Sequence, residues 1–366
     1  MVRHSFLIAC VVMCAAGLAS AQRAGSSEPG QAESQDRTRA VKLPSTWSSP
    51  AKEARAIWIA SHEMLLPREK IAAKLDAIRD AGFNTVMVDS WFRGYAGFDG
   101  SSVAPRYPQL DGDVFGFILE QSRARGLSVH SWPEYGFYAY HTKDPVADRS
   151  KGPILDRHPD LVAVNARGEQ YLSNPQFGSF YSMCPSNPRS HRLLGQVIVD
   201  SITRYDVDGV NLDRIRYPES DYCFCNHCRE HFQKDTGLAL ENFPAGSENA
   251  RRLLDWRREQ TATAVATIRE MIHAARPGMP ITAYVVGPFE MDSKAQGWDL
   301  WARRGLVDAV AVSMYGADIE PAAKRAIELL GPAKDKLVCA VNAALDTEIY
   351  ASNLEIARKY SSLGQF

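Results

Sequence analysis

Gly209-Val210-Asn211-Leu212-Asp213, preceded by Tyr205-Asp206-Val207-Asp208 and followed by Arg214-Ile215-Arg216-Tyr217-Pro218, reads as a short buried strand that ends in a charge. Side chains alternate sides along a strand, so Val210 and Leu212 face one way and Asn211 and Asp213 the other. Apolar residues on one side and polar residues on the other, in a run this short, fit a barrel strand. Its outer face packs on helices, and its inner face carries polar groups toward the mouth.

Working outward, the same unit recurs. Runs rich in Val, Ile and aromatics near Ala56–Ala60, Thr85–Ser90, Ser128–Trp132, Val210–Asp213, Ile281–Val286, Ala309–Tyr315 and Leu337–Val341 alternate with amphipathic segments. Those segments predict helices near Arg68–Ala81, Val114–Arg125, His191–Tyr205, Arg251–Ala275, Leu300–Gly305, Ala322–Leu330 and Asn353–Ser361, several ending in a glycine suited to a C-cap, such as Gly82, Gly126 and Gly331. Successive βα units without a repeated dinucleotide-binding half predict a (β/α)8 TIM barrel rather than an open doubly wound sheet. Only Gly364-Gln365-Phe366 remains where an eighth strand begins. The expectation is therefore a chain truncated at or before that strand, or a barrel open between its first and seventh strands with two unpaired edges.

With 42 Lys and Arg against 43 Asp and Glu, the chain has a formal net charge of -1. That gives no clustered cation for phosphate binding and argues against a nucleic-acid partner. Arg3 and His4, the apolar run Phe6–Leu18 and Ala19-Ser20-Ala21 predict a signal peptide over residues 1–21, cleaved before Gln22, and hence a secreted or periplasmic protein. No later stretch reaches the about 20 apolar residues that a membrane span needs. Residues 22–52, rich in Ser, Gly, Gln, Glu and Arg, predict a flexible linker, and 53–366 the single folded domain.

Barrel enzymes place their chemistry at the carboxyl ends of the strands, which singles out Asp213 as nucleophile, base or electrostatic stabiliser. The plainer alternative is a structural ion pair with Arg214 or Arg216. The stretch Tyr205–Pro218 resembles the signature of the glycosyl-hydrolase-like family 10 barrel proteins. In the same order come Arg55-Ala56-Ile57-Trp58, Ala81-Gly82-Phe83-Asn84-Thr85-Val86, Arg125–Trp132, Cys184-Pro185-Ser186-Asn187-Pro188, Gly305-Leu306-Val307-Asp308 and Ser313-Met314-Tyr315. The resemblance runs from about Ala54 to the end. It implies a (β/α)8 barrel, export, and hydrolysis of a glycan, with some relatives acting on bacterial wall glycan.

Glycosidic cleavage uses a second carboxyl group, protonated while the first is ionised. Glu134, in Trp132-Pro133-Glu134-Tyr135, and Glu290, in Gly287-Pro288-Phe289-Glu290, are the candidates. Asp89 at the end of the second strand is a third choice, or an orienting group. The aromatic residues Trp91, Phe92, Tyr95, Trp132, Tyr135, Phe137, Tyr138 and Tyr140 could stack on sugar rings or pack beneath long loops. Arg216, Asn211, His130, His62 and Tyr315 could bind hydroxyls.

Cys223-Phe224-Cys225-Asn226-His227-Cys228 supplies three thiols in one turn, with Cys184, His227 or His231 as a fourth ligand. It predicts a structural zinc site rather than a disulfide with free thiols; Cys339 reads as a core residue. No organic cofactor is expected, and the partner is a carbohydrate. Two other readings remain: a barrel that binds glycan without cutting it, and a metal-dependent hydrolase using His62, His130 and Asp213. The second lacks the paired His-x-His of such sites at the first strand.

Overall fold

A computed structural model describes residues 53–142, 150–174, 178–361 and 363–366. The expected signal peptide and linker, residues 1–21 and 22–52, lie outside the described residues. Eight parallel strands form a closed ring: β1 (Ala54–Ile59), β2 (Thr85–Asp89), β3 (Ser128–Trp132), β4 (Gly209–Leu212), β5 (Ile281–Val285), β6 (Ala309–Met314), β7 (Leu337–Val341) and β8 (Gly364–Gln365). The open or truncated barrel expected from the sequence is thereby corrected. Gly364 and Gln365 lie opposite Ala54 and Arg55, and Gln365 opposite Cys339, so two residues join the first and seventh strands. A strand this short carries no period of its own; its neighbours' free backbone groups define it.

The longer helices follow in order: α1 (Arg68–Asp80), α2 (Val114–Arg123), α3 (Pro188–Arg204), α4 (Asn226–Thr236), α5 (Glu248–Ala275), α6 (Trp298–Arg303), α7 (Glu320–Leu330) and α8 (Thr347–Tyr360). Start signals are local. Asn187 caps α3 by accepting from Arg189 N at 2.9 Å, with Pro188 at the first helical position, which explains the Asn-Pro pair. No helix among the described residues is long and apolar enough to cross a membrane.

Two apolar layers follow from the period-two alternation. Val86, Val88, Val129, Val210, Leu212, Val310, Val312 and Cys339 point outward into a core shared with the helices. Ala56, Met87, Trp132, Ala309, Ala311, Val338 and Ala340 fill the barrel interior with Phe366. The small alanines of β6 and β7 leave space there for the large rings of Trp58, Trp132 and Tyr284.

The Val-Asp pairs before β4 and β6 have one shared purpose. Asp208 accepts from Val129 N at 2.8 Å while its own N–H donates to Val129 O at 2.7 Å. Asp308 makes the matching pair with Ile281, at 2.8 Å each. Each aspartate clamps its strand to the preceding one and fixes the register that sets the height of Asp213.

The long segment between β3 and α3 contains an antiparallel sheet of Tyr138–Thr142, Gly178–Ser182 and Tyr171–Asn174, with the middle strand last in sequence. The sequence reading assigned no strands there, nor the helix α4.

Candidate active site

Asp213 lies one residue beyond β4, with its side chain turned into the barrel mouth and almost entirely buried. Its Oδ2 accepts from Trp132 Nε1 at 3.2 Å, and its Oδ1 accepts from Arg214 N at 2.6 Å. Burial raises its carboxyl to about 6, against the lowering pull of Arg214 and Arg216; the charge of Glu134 adds to the rise and the Trp132 bond opposes it. A carboxyl titrating near 6 can both hold and release a proton near neutral pH.

Glu134 reaches the same mouth from the turn after β3 and is also buried. Its Oε1 lies 3.2 Å from Nη1 of Arg214. The Arg214 guanidinium stands over the rings of Tyr135 and Tyr138, 5.1 and 5.8 Å from their centroids. Arg216 stands 5.7 Å from the Tyr138 ring. Aromatic faces hold a planar cation without adding another anion to compete with Glu134 and Asp213.

The β3 turn and the end of β4 touch backbone to backbone. A Cβ at Gly136 would stand 2.1 Å from the Asp213 carbonyl oxygen, and Gly136 itself has φ of +48°. Arg214, also in the left-handed region at φ +48°, accepts from Phe137 N at 3.3 Å. Strained backbone of this kind persists only where the surroundings hold it, and here it aims three charged side chains into one space.

The other expected residues scatter. Asp89 is wholly buried at the end of β2, beside Trp132 in register. Asn211 spends both amide groups inside the barrel, accepting from Trp58 Nε1 at 3.2 Å and donating to Thr282 Oγ1 at 2.8 Å. It therefore ties three strands together instead of facing solvent. His130, expected at the mouth, sits one inward position below Trp132 and packs on Gly209, where a Cβ would meet its ring at 2.6 Å. Burial depresses its imidazole to about 4. Trp91, expected to face sugar, is a fully buried core residue whose Nε1 donates to Gly136 O at 3.0 Å. Phe92 and Phe137 are buried as completely. His62 is exposed in the turn after β1 and joins none of these contacts. Glu290 is half-buried after β5, and the groups that set the ionisation of Asp213 do not include it.

Two ring systems belong to the mouth that the sequence reading passed over. Trp58 and Tyr284 pack at a tilt with ring centroids 5.0 Å apart, and Trp132 lies 6.2 Å from Trp58. Tyr284 donates to the Tyr315 hydroxyl at 2.6 Å. Inward parity at the ends of β1 and β5 would have found both. Tyr315 is 36% exposed and Phe289, after β5, 72% exposed, so the most open aromatic rings among the described residues lie above β5 and β6, while Tyr95 and Tyr140, after β2 and β3, are half-buried.

Cys184, Cys223, Cys225 and Cys228 converge, their four sulfur atoms all within 4.8 Å of one another. Sγ of Cys184 is 3.4 Å from that of Cys228 and 3.6 Å from that of Cys225. Four thiolates around a tetrahedral zinc stand roughly 3.8 Å apart, from metal–sulfur bonds of about 2.3 Å. The residues fit such an ion, and none of the five described cysteines is in a disulfide. His227 instead contacts the Ser186 carbonyl, and Cys339 is buried in β7. No other group of three or more metal-binding side chains occurs among the described residues, so His62, His130 and Asp213 do not form a chelating set. Cys228 Sγ also lies 3.4 Å from Ser186 Oγ, which is 2.5 Å from the hydroxyl of Tyr217, four residues after Asp213.

The family model described as glycosyl hydrolase-like 10 matches residues 53–353. The chain is 24% identical over 316 residues to glycosyl hydrolase DigH of Escherichia coli (strain K12), covering 75% of this chain and 68% of that protein. It is 24% identical over 253 residues to glycosyl hydrolase YngK of Bacillus subtilis (strain 168), covering 62% of this chain and 43% of that one. The structure is similar to the PgaB (BpsB) glycoside hydrolase domain of Bordetella bronchiseptica, with a TM-score of 0.63, 13% identity and coverage of 86% of this chain and 93% of that chain. It is also similar to a β-galactosidase of the psychrophilic Marinomonas ef1, with a TM-score of 0.56, 13% identity and coverage of 79% and 48%. At such identity the two structures bear on the fold alone.

Proposed function

The chain belongs to the glycosyl hydrolase-like 10 family, and from that premise we propose that it is an exported glycoside hydrolase cleaving O-glycosidic bonds of a polysaccharide or cell-wall glycan by a two-carboxylate mechanism. The observation that carries this reading is the pair of buried carboxyl groups at the ends of adjacent strands, Asp213 and Glu134, in unlike electrostatic settings. Environments that separate two carboxyls assign one as acid and the other as carboxylate.

Asp213 takes the part of proton donor, because burial lifts its carboxyl to about 6 and so holds the proton well above the ordinary carboxyl range. Glu134, ion-paired with Arg214, takes the part of the carboxylate that attacks or activates water. That division exchanges the roles read from the sequence, where Asp213 was the ionised group. Glu290 is left as a residue of the mouth's edge. Phe289 and Tyr315 offer rings for a sugar face, and Arg216 a donor for its oxygens. The apolar run Phe6–Leu18 supports the reading of export. A zinc ion held by Cys184, Cys223, Cys225 and Cys228 has a structural part here: four sulfur ligands leave no open position for water.

The test is release of reducing ends from a panel of polysaccharides, including peptidoglycan glycan strands with and without stem peptides, by the wild type and Asp213→Asn in parallel. Release by the wild type alone supports the assignment. No release from any substrate by folded protein would replace it with a glycan-binding barrel.

A further inference from the structure

Arg257 and Arg258 follow one another on α5 and meet opposite surroundings. Arg258 is ion-paired with Asp299 at 2.6 Å. Arg257 is 5% exposed, and its one acceptor among the described residues is the Ser220 carbonyl, 2.7 Å from Nη1. Its Nε and Nη2 have no hydrogen-bond partner there, and no carboxylate is ion-paired with it. Asp221, next to Ser220, is paired with Arg167 instead, at 3.4 Å. A guanidinium keeps its proton in a protein, so a full positive charge is held here away from water. Such a charge is costly unless another answers it.

The surroundings of the guanidinium lead to the cysteines. It lies 5.4 Å from the ring centroid of Tyr217 and 5.4 Å from that of Phe224. Phe224 stands between Cys223 and Cys225 in the chain, and the Tyr217 hydroxyl is 2.5 Å from Ser186 Oγ, itself 3.4 Å from Cys228 Sγ. Both rings belong to the buried cluster that contains Cys184, Cys223 and Cys228. Arg229 also lies 5.7 Å from the Phe224 ring, but it is exposed and donates to the carbonyls of Phe224 and Leu240.

We propose that Arg257 is the counter-charge of the four-cysteine centre, a buried cation that stabilises the excess negative charge of a divalent ion held by Cys184, Cys223, Cys225 and Cys228. The proposal rests on the reading of those residues as a zinc site. Four thiolates on a divalent ion leave two negative charges in excess, in an apolar cluster where water screens little. Each charge is unfavourable in that interior alone, and each relieves the other when both are present. Arginine suits the place because its flat, weakly hydrated cation packs on aromatic faces. Glycan hydrolysis has no part in the argument, so the test needs no substrate.

Zinc affinity of the full chain is measured at neutral pH by competition with a chelator of known strength, for the wild type, Arg257→Met and Arg257→Lys. Methionine keeps much of the side-chain volume without the charge, and Arg257→Met should bind zinc on the order of 10- to 100-fold more weakly. Lysine keeps the charge without the planar fork, and Arg257→Lys should recover most of that loss. Unchanged affinity in Arg257→Met, or an equal loss in both variants, overturns the proposal, since packing and not charge would then govern the site. Cobalt gives a second readout that a loosened fold does not imitate. In the cobalt-loaded protein the sulfur-to-metal charge-transfer band should move to lower energy in Arg257→Met and hold its place in Arg257→Lys, because thiolates without a neighbouring cation give up electron density more readily. A band in Arg257→Met that coincides with the wild type also overturns the proposal. A wild type that takes up neither zinc nor cobalt removes the zinc reading itself, and the counter-charge with it.

Discussion

Trp132 Nε1 donates a 3.2 Å hydrogen bond to Oδ2 of Asp213, so the last residue of β3 holds the carboxyl that ends β4. An indole N–H on a carboxylate stabilises the ionised form and opposes the rise that burial produces. Trp132→Phe keeps a ring in the barrel and deletes that donor. The Asp213 carboxyl should then titrate above its present value of about 6, and the alkaline limb of kcat/KM should move up by roughly 0.5 to 1 pH unit. A limb that stays in place would show that another group titrates there.

Stability should respond to the same carboxyl with the opposite benefit. Asp213 holds its proton more tightly in the folded chain, at about 6, than at the ordinary 3.8. The stability it contributes is therefore complete below about pH 4 and lost as pH rises through about 6. Two pH units correspond to about 3 kcal/mol. Asp213→Asn removes the charge but gives up one acceptor, worth about 1 kcal/mol. Urea unfolding should find it about 1 to 2 kcal/mol more stable than wild type at pH 8, with the gain gone at pH 4, in a protein without turnover.

Gly136 and Gly126 both have positive φ, but only Gly136 is crowded. Gly126→Ala should cost about 1 kcal/mol from backbone strain alone. Gly136→Ala must also push against the Asp213 carbonyl, so its cost should exceed 2 kcal/mol, and kcat should fall at least 10-fold as Arg214 and Asp213 shift. Thermal melts and steady-state kinetics of the two variants, side by side, check this.

Elemental analysis of the purified protein should return one zinc per chain. Cys225→Ser should retain less and melt several degrees lower. Because Cys228 touches Ser186 and Ser186 touches Tyr217, which is four residues along the chain from Asp213, chelated protein that stays folded should also lose kcat. Full activity after complete zinc loss would sever that connection.

The barrel was legible because its signal is repetitive: each strand alternates, each helix buries one stripe, and the Val-Asp pairs before β4 and β6 recur. Asp213 was legible for the same reason, since parity and strand end locate it together. The carboxyl proposed as its partner was not, because Glu134 and Glu290 have equal standing in a linear reading and only the crossing of the β3 turn over Arg214 distinguishes them. Aromatic residues misled. Trp91 and Phe92 lie after a strand, as sugar-facing rings do, but Trp91 bonds to the Gly136 carbonyl and Phe92 packs edge-on against Tyr107, contacts that no local pattern announced. The eighth strand escaped because two residues cannot display an alternation.

The uneven wall of the mouth also decides how mutational scanning of this barrel would read. Above β2 and β3, Trp91, Phe92 and Phe137 have almost no exposed surface, so substitutions of these three change the yield of folded protein. Above β5 and β6, Phe289 and Tyr315 stand in water, and their replacement leaves folding nearly untouched. Laboratory selection for a new sugar has its freedom on that second arc, while the first arc admits change only with compensation elsewhere in the core.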